Sequence, residues 1–163
     1  MSVESIVIAT DLNKTFKAEQ KGLDDVQALQ GINMQIKTGQ LTALVGPDGA
    51  GKTTFLRLIA GLYKPTAGSL EVLGMDVAKD PQSVQDRISY MPQKFGLYED
   101  LSIQENLDLY ADLHGVPMNV RKERFARLLK ITDLARFTER PAGKLSGGMK
   151  QKLGIANAVM GSP

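Results

Sequence analysis

The run Gly46-Pro47-Asp48-Gly49-Ala50-Gly51-Lys52-Thr53-Thr54 constrains this chain more than any other stretch, because it fits the pattern G-x-x-x-x-G-K-[ST]. The apolar run Leu41-Thr42-Ala43-Leu44-Val45 before it reads as a buried strand. After it, Phe55, Leu58, Ile59 and Leu62 repeat at helical spacing. Strand, glycine-rich turn and helix in that order commit this part of the chain to an α/β arrangement.

The chemistry of such a loop lies in its backbone. Gly46, Gly49 and Gly51 lack a Cβ, so successive N–H groups can converge on one anion. A helix starting near Lys52 adds its own unpaired N–H groups and a partial positive charge. Pro47, Asp48 and Ala50 complete the loop, and Lys52 is expected to reach the β- and γ-phosphates of a nucleotide. The hydroxyl of Thr53, beside Thr54, is placed to ligate Mg²⁺. Hydrogen bonds to charged groups contribute about 1.5–3 kcal/mol each, so converging amides outweigh diffuse basicity.

Composition narrows the partners. A chain of 163 residues is sized for one domain, and 42% hydrophobic with 23% charged content is ordinary for a globular protein. A net charge of +2 leaves no electrostatic footprint for nucleic acid, which is not expected as a partner. Cysteine is absent, which removes disulfides, thiolate metal sites and cysteine nucleophiles. No apolar run approaches the length that spans a bilayer, and Met1-Ser2-Val3-Glu4-Ser5 lacks the basic start of a signal peptide.

Elsewhere the first part reads as β and the second as α. Ile6-Val7-Ile8-Ala9 is a short strand, followed by a polar loop with Lys17, Glu19, Lys21, Asp24 and Asp25. Ile32, Met34 and Ile36 alternate with polar neighbours as in a half-buried strand. Gly61 ends the first helix, Lys64 to Gly68 turn into a strand at Ser69 to Leu73, and Ile88 to Met91 form another strand stopped by Pro92. Ser102 with Glu105 makes a capping box, with Ile103, Leu107, Tyr110 and His114 on one stripe behind it. A second helix near Asn119 carries Phe125, Leu128 and Leu129. A third, opened by Ser146, aligns Met149, Leu153, Ala156 and Met160 and leaves Lys150 and Lys152 for solvent or a ligand.

Leu145-Ser146-Gly147-Gly148 before that last helix repeats the phosphate logic: a capping hydroxyl and two glycines expose amides at a helix start. With Gly46 to Thr54 as a Walker A loop, Tyr90-Met91-Pro92-Gln93 as a Q-loop and Leu145 to Gln151 as a signature motif, the chain resembles the ATP-binding cassette (ABC) ATPases along its whole length. Gly46-Pro47-Asp48-Gly49-Ala50-Gly51-Lys52, with Gln93-Lys94-Phe95-Gly96-Leu97-Tyr98-Glu99-Asp100, is most similar to cassettes of ABC-2-type multidrug or daunorubicin-like exporters.

That resemblance implies an α/β P-loop NTPase core with an antiparallel β part and an inserted helical region, binding ATP and Mg²⁺. It implies one domain over 1–163, with a β-rich nucleotide-binding core over 1–91 and the Q-loop, helical region and signature helix over 92–160. Phe16 matches the aromatic that stacks on adenine, although an ordinary core phenylalanine would look the same. Gln93 would touch Mg²⁺ or the attacking water and is the one residue here placed near catalysis. Ser146, Gly147 and Gly148 would contact the γ-phosphate held by a second ATPase domain, giving a head-to-tail dimer that works on transmembrane permease domains from the inner face of the membrane.

Two departures matter. Met149 stands where many relatives have glutamine. The family's apolar strand ending in Asp-Glu and its switch histidine do not follow the signature helix, so the chain is expected to be a domain cut short before Walker B, binding nucleotide with negligible turnover and prone to association through exposed strand edges. His114, the only histidine, lies too early to be the switch residue and reads as a core or helix-end histidine, while Glu99 and Asp100 read as loop or partner-surface carboxylates. The rival readings are an ABC-type ATPase of translation or nucleic-acid metabolism, and a noncatalytic regulatory module. The interval from Gln93 to Ser146 carries no sustained heptads, which argues against a repair protein with an inserted coiled coil.

Overall fold

The computed structural model describes residues 5–18, 20, 22–94 and 96–161. Met1 to Glu4, Glu19, Lys21, Phe95, Ser162 and Pro163 lie outside the described residues, and with them the expected N-terminal start, part of the polar loop and one position of the Gln93 run. The chain divides into two compact units, Met1–Ile88 and Ser89–Pro163.

The first unit is built on long strands β1 (Ser5–Phe16) and β2 (Val26–Lys37), with β3 (Ala67–Val72) and β4 (Met75–Asp76). The sheet order is β2-β1-β3-β4, with every pairing antiparallel. Along β2, Ile32, Met34 and Ile36 are half-buried and Asn33, Gln35 and Lys37 exposed, which follows from the period of two. β1 runs well past Ala9 because a bulge absorbs its break in register. Asp11 takes a left-handed φ of 45°, its N–H donates to Asn33 Oδ1 at 2.9 Å, and the Gly31 N–H donates to Asn13 Oδ1 at 3.0 Å. Two asparagine amides thus satisfy backbone groups the ladder cannot.

Helix α1 (Lys52–Ile59) packs Phe55 and Leu58 onto the sheet face formed by Val7, Leu12, Leu70 and Val72. Gly61, at φ 67°, follows its end, and Leu62 lies beyond the helix and is exposed. A short α2 (Pro81–Gln85) starts from Asp80, whose carboxylate accepts the Ser83 N–H at 3.1 Å, with Pro81 in the first turn.

Two expected strands do not form. Leu41 to Val45 is neither a strand nor buried: Leu41 is 102% and Val45 90% exposed. Ile88 to Met91 is likewise irregular. A strand is stable only when its N–H and C=O groups join a ladder, and among the described residues no strand pairs with either segment. Leu44 and Val45 instead border a cavity of about 110 Å³ against Leu29, Ile32, Met34 and Phe55.

The second unit is helical: α3 (Ile103–Leu113), α4 (Met118–Thr132), two single 3₁₀ turns at Ala135–Phe137 and Ala142–Lys144, and α5 (Gly147–Ala158). Ile103, Leu107, Phe125, Leu129, Leu153 and Met160 share one core. The capping box of α3 is complete: the Ser102 N–H donates to Glu105 Oε2 at 2.7 Å and the Glu105 N–H to Ser102 Oγ at 3.2 Å. His114 caps the C-terminal end of α3 and is exposed, so it is a helix-end rather than a core histidine.

Candidate phosphate-binding loop and signature helix

The loop before α1 is open to solvent from Leu41 through Ala50. Its turn is closed by the Ala50 N–H donating to Pro47 O at 3.3 Å. Gly49 and Gly51 have φ of 79° and 83°, the left-handed region that other residues enter at a cost of about 1–2 kcal/mol. Nothing lies within 4 Å of a Cβ built on Gly49, whereas at Gly51 a Cβ would meet the Ala28 carbonyl oxygen and come within 2.7 Å of Leu29 Cδ2. Gly51 is thus demanded by the approach of the loop to β2.

Gly51 is also the N-cap of α1, and no side chain caps the helix. An uncapped first turn presents N–H groups and the positive end of the helix dipole to whatever occupies the loop. Lys52 Nζ donates to Gly46 O at 2.7 Å and to Pro47 O at 2.5 Å, so the ammonium is folded over the loop beside those amides. Thr53 is exposed on the same turn, and Thr54 is half-buried. Among the described residues no three His, Asp or Glu side chains cluster as a cation cage.

Phe16, at the end of β1, is half-buried and meets Tyr63 edge-on, with centroids 5.3 Å apart at 75°. The Lys14 ammonium lies 5.0 Å from the Phe16 centroid and donates to Lys64 O at 2.9 Å. Tyr63 in turn accepts from the Arg57 guanidinium at 3.0 Å, which ties this aromatic pair to α1. The sequence did not single out Lys14, Tyr63 or Arg57, because their meeting depends on residues far apart in the chain.

In the second unit, Gln93 lies exposed on an irregular stretch. Ser146 caps α5, its Oγ accepting the Met149 N–H at 3.3 Å. Gly147 and Gly148 are exposed, neither has a left-handed φ, and a Cβ at either would meet nothing within 4 Å. Among the described residues, neither φ nor a neighbour therefore requires glycine at these two positions. Met149 is partly buried against the helical core, so a residue that replaces glutamine serves packing here. Lys152 is exposed, but Lys150 is not left for solvent as expected: its ammonium pairs with Glu99 Oε1 at 2.6 Å, because the turn carrying Glu99 lies beside the first turn of α5. The Gly46–Thr54 loop and the Gln93 and Ser146 segments belong to different units, each described here by itself.

The model of the family described as "ABC transporter" matches residues 29–163. The probable multidrug ABC transporter ATP-binding protein YbhF of Escherichia coli is 50% identical over 98% of this chain and 27% of its own length. The bacitracin transport ATP-binding protein BcrA of Bacillus licheniformis is 35% identical over 99% of this chain and 49% of its own length. The chain thus spans about a quarter to a half of these curated relatives. Among solved structures, a dimeric ATP-binding cassette in a post-hydrolysis state, bound to ADP and Pi, superposes with a TM-score of 0.82 at 29% identity, over 96% of this chain and 70% of that one. The match across most of the chain and the shared fold together lead to one conclusion: this chain belongs to the ABC transporter family.

Proposed function

We propose that this chain is the nucleotide-binding part of an ABC-type ATPase that couples ATP to export through a membrane partner. In this reading the amides of the Gly46–Thr54 loop and the uncapped first turn of α1 hold the triphosphate, Lys52 turns from the loop carbonyls to the β- and γ-phosphates, and Phe16 stacks on adenine. Thr53 and Gln93 would hold Mg²⁺, which supplies charge neutralisation to the phosphates when bound. Ser146, Gly147 and Gly148 would meet the γ-phosphate held by a second ATPase domain, so that ATP closes a head-to-tail pair.

The observation that most supports the reading is the conjunction at α1: left-handed Gly49 and Gly51, no side-chain cap, and the Lys52 ammonium folded over the same loop. The chain spans only part of the length of its curated relatives, so hydrolysis is assigned to the whole protein and nucleotide binding to this chain. Among the described residues no helix is long and apolar enough to cross a membrane. Attachment to the inner face of the membrane is assigned to a permease partner, as the transporter relatives suggest.

The test is ATP hydrolysis by the whole protein with and without its membrane partner. Turnover that rises with the partner and vanishes in Lys52→Ala is expected. Turnover stimulated by RNA or DNA instead would favour a role in translation or nucleic-acid metabolism, and nucleotide binding without turnover in the complete assembly would favour a regulatory module.

A further inference from the structure

The turn between Gly96 and Ser102 is fastened far more firmly than an exposed loop requires. The Tyr110 hydroxyl donates to Gly96 O at 2.8 Å. Asn106, fully buried, accepts the Tyr98 N–H at 3.1 Å and donates to Tyr98 O at 3.0 Å, Leu101 O at 3.2 Å and Ser102 O at 2.9 Å. The same turn is bonded to the segment that enters the signature motif: the Gly143 N–H donates to Glu99 O and the Ala142 N–H to Leu101 O, both at 2.8 Å. The Glu99 carboxylate is therefore carried on rigid backbone and meets Lys150 already oriented.

Lys150 needs such a partner. It stands in the first turn of α5, where a cation opposes the positive end of the helix dipole, and only 22% of its side chain is exposed. We infer that Glu99 is a positioning residue for the signature helix: through Lys150 it fixes the first turn of α5, so that the turn following Gln93 and the Ser146–Gly148 amides move as one piece. This rests on the reading of those amides as a phosphate contact.

The experiment compares wild type, Glu99→Gln, Lys150→Met and the exchange Glu99→Lys/Lys150→Glu in the whole protein. Hydrogen exchange at the Met149 and Lys150 amides, which are bonded to Ser146, is read first and without nucleotide. Exchange about two- to fivefold faster in each single variant, restored by the charge exchange, is expected from a partly exposed ion pair. Unchanged exchange would overturn the inference whatever the nucleotide does. ATP turnover is read second: kcat lowered about two- to fivefold at unchanged KM, again restored by the exchange, supports positioning. Faster amide exchange with wild-type kcat would overturn it, because the pair would then be merely structural. A wild type that neither binds nor hydrolyses ATP would defeat the nucleotide reading itself, a different and separately visible result.

Discussion

The Cβ direction of Gly51 points at the carbonyl oxygen of Ala28, so the loop before α1 rests on β2 with no room for a side chain between them. Gly51→Ala would combine a left-handed φ of 83° with a backbone clash. It should destabilise the first unit by about 2–4 kcal/mol. Urea unfolding followed by circular dichroism checks this, and a loss well under 1 kcal/mol would show that the loop moves freely away from β2.

The signature glycines predict the opposite trade. Neither Gly147 nor Gly148 is held to glycine by φ or by a neighbour, so alanine at either should leave this chain as stable or raise its stability by about 0.4–1 kcal/mol. The same variants should lose ATP-dependent association of the whole protein, measured by sedimentation. Association at wild-type strength would mean that nothing approaches these two residues.

Asn157 on α5 is 1% exposed, and neither its Nδ2 nor its Oδ1 has a partner among the described residues. An unsatisfied buried amide costs about 1–3 kcal/mol, whereas leucine has the same number of side-chain heavy atoms and nothing to satisfy. Asn157→Leu should therefore raise the unfolding free energy of this chain by about 1 kcal/mol, seen as a higher Tm. A lower Tm would show that the amide has a partner after all.

Acid should loosen the second unit through its capping box. The Ser102 N–H first, and its hydroxyl second, hold the Glu105 carboxyl below the usual carboxylate range. Because the folded value is depressed, the contribution is full above the unfolded-state value and is lost as pH falls through the folded one. Stability measured from about pH 6 to pH 3 should fall, and Glu105→Gln should flatten the acid end of that curve. Parallel curves for the two proteins would contradict the assignment.

What could be read from the sequence was what depends on near neighbours. The Ser102 and Glu105 pair is three residues apart, and the alternation of Ile32, Met34 and Ile36 needs only a surface to face. Leu41 to Val45 failed as a strand because strand formation is decided by a partner, which local composition does not reveal. The full reach of β1 was hidden by a bulge whose asparagine braces, Asn13 and Asn33, sit on different strands. Helix α2 was missed although Asp80 before Pro81 is a legible start signal. At the site, the glycines and Lys52 were visible from spacing alone, while the Glu99 to Lys150 pair, formed by residues far apart in the chain, was not.

The central claim is that backbone amides at the start of α1, aided by the Lys52 ammonium, grip a triphosphate. Isothermal titration of ATP with Mg²⁺ into the wild-type chain and into Lys52→Ala tests it most directly. The account predicts saturable binding with one nucleotide per chain, weakened at least about tenfold by the substitution, as expected for the loss of one charged hydrogen bond or more. Equal affinity in the two proteins, or no binding to the wild type at millimolar ATP, would contradict it.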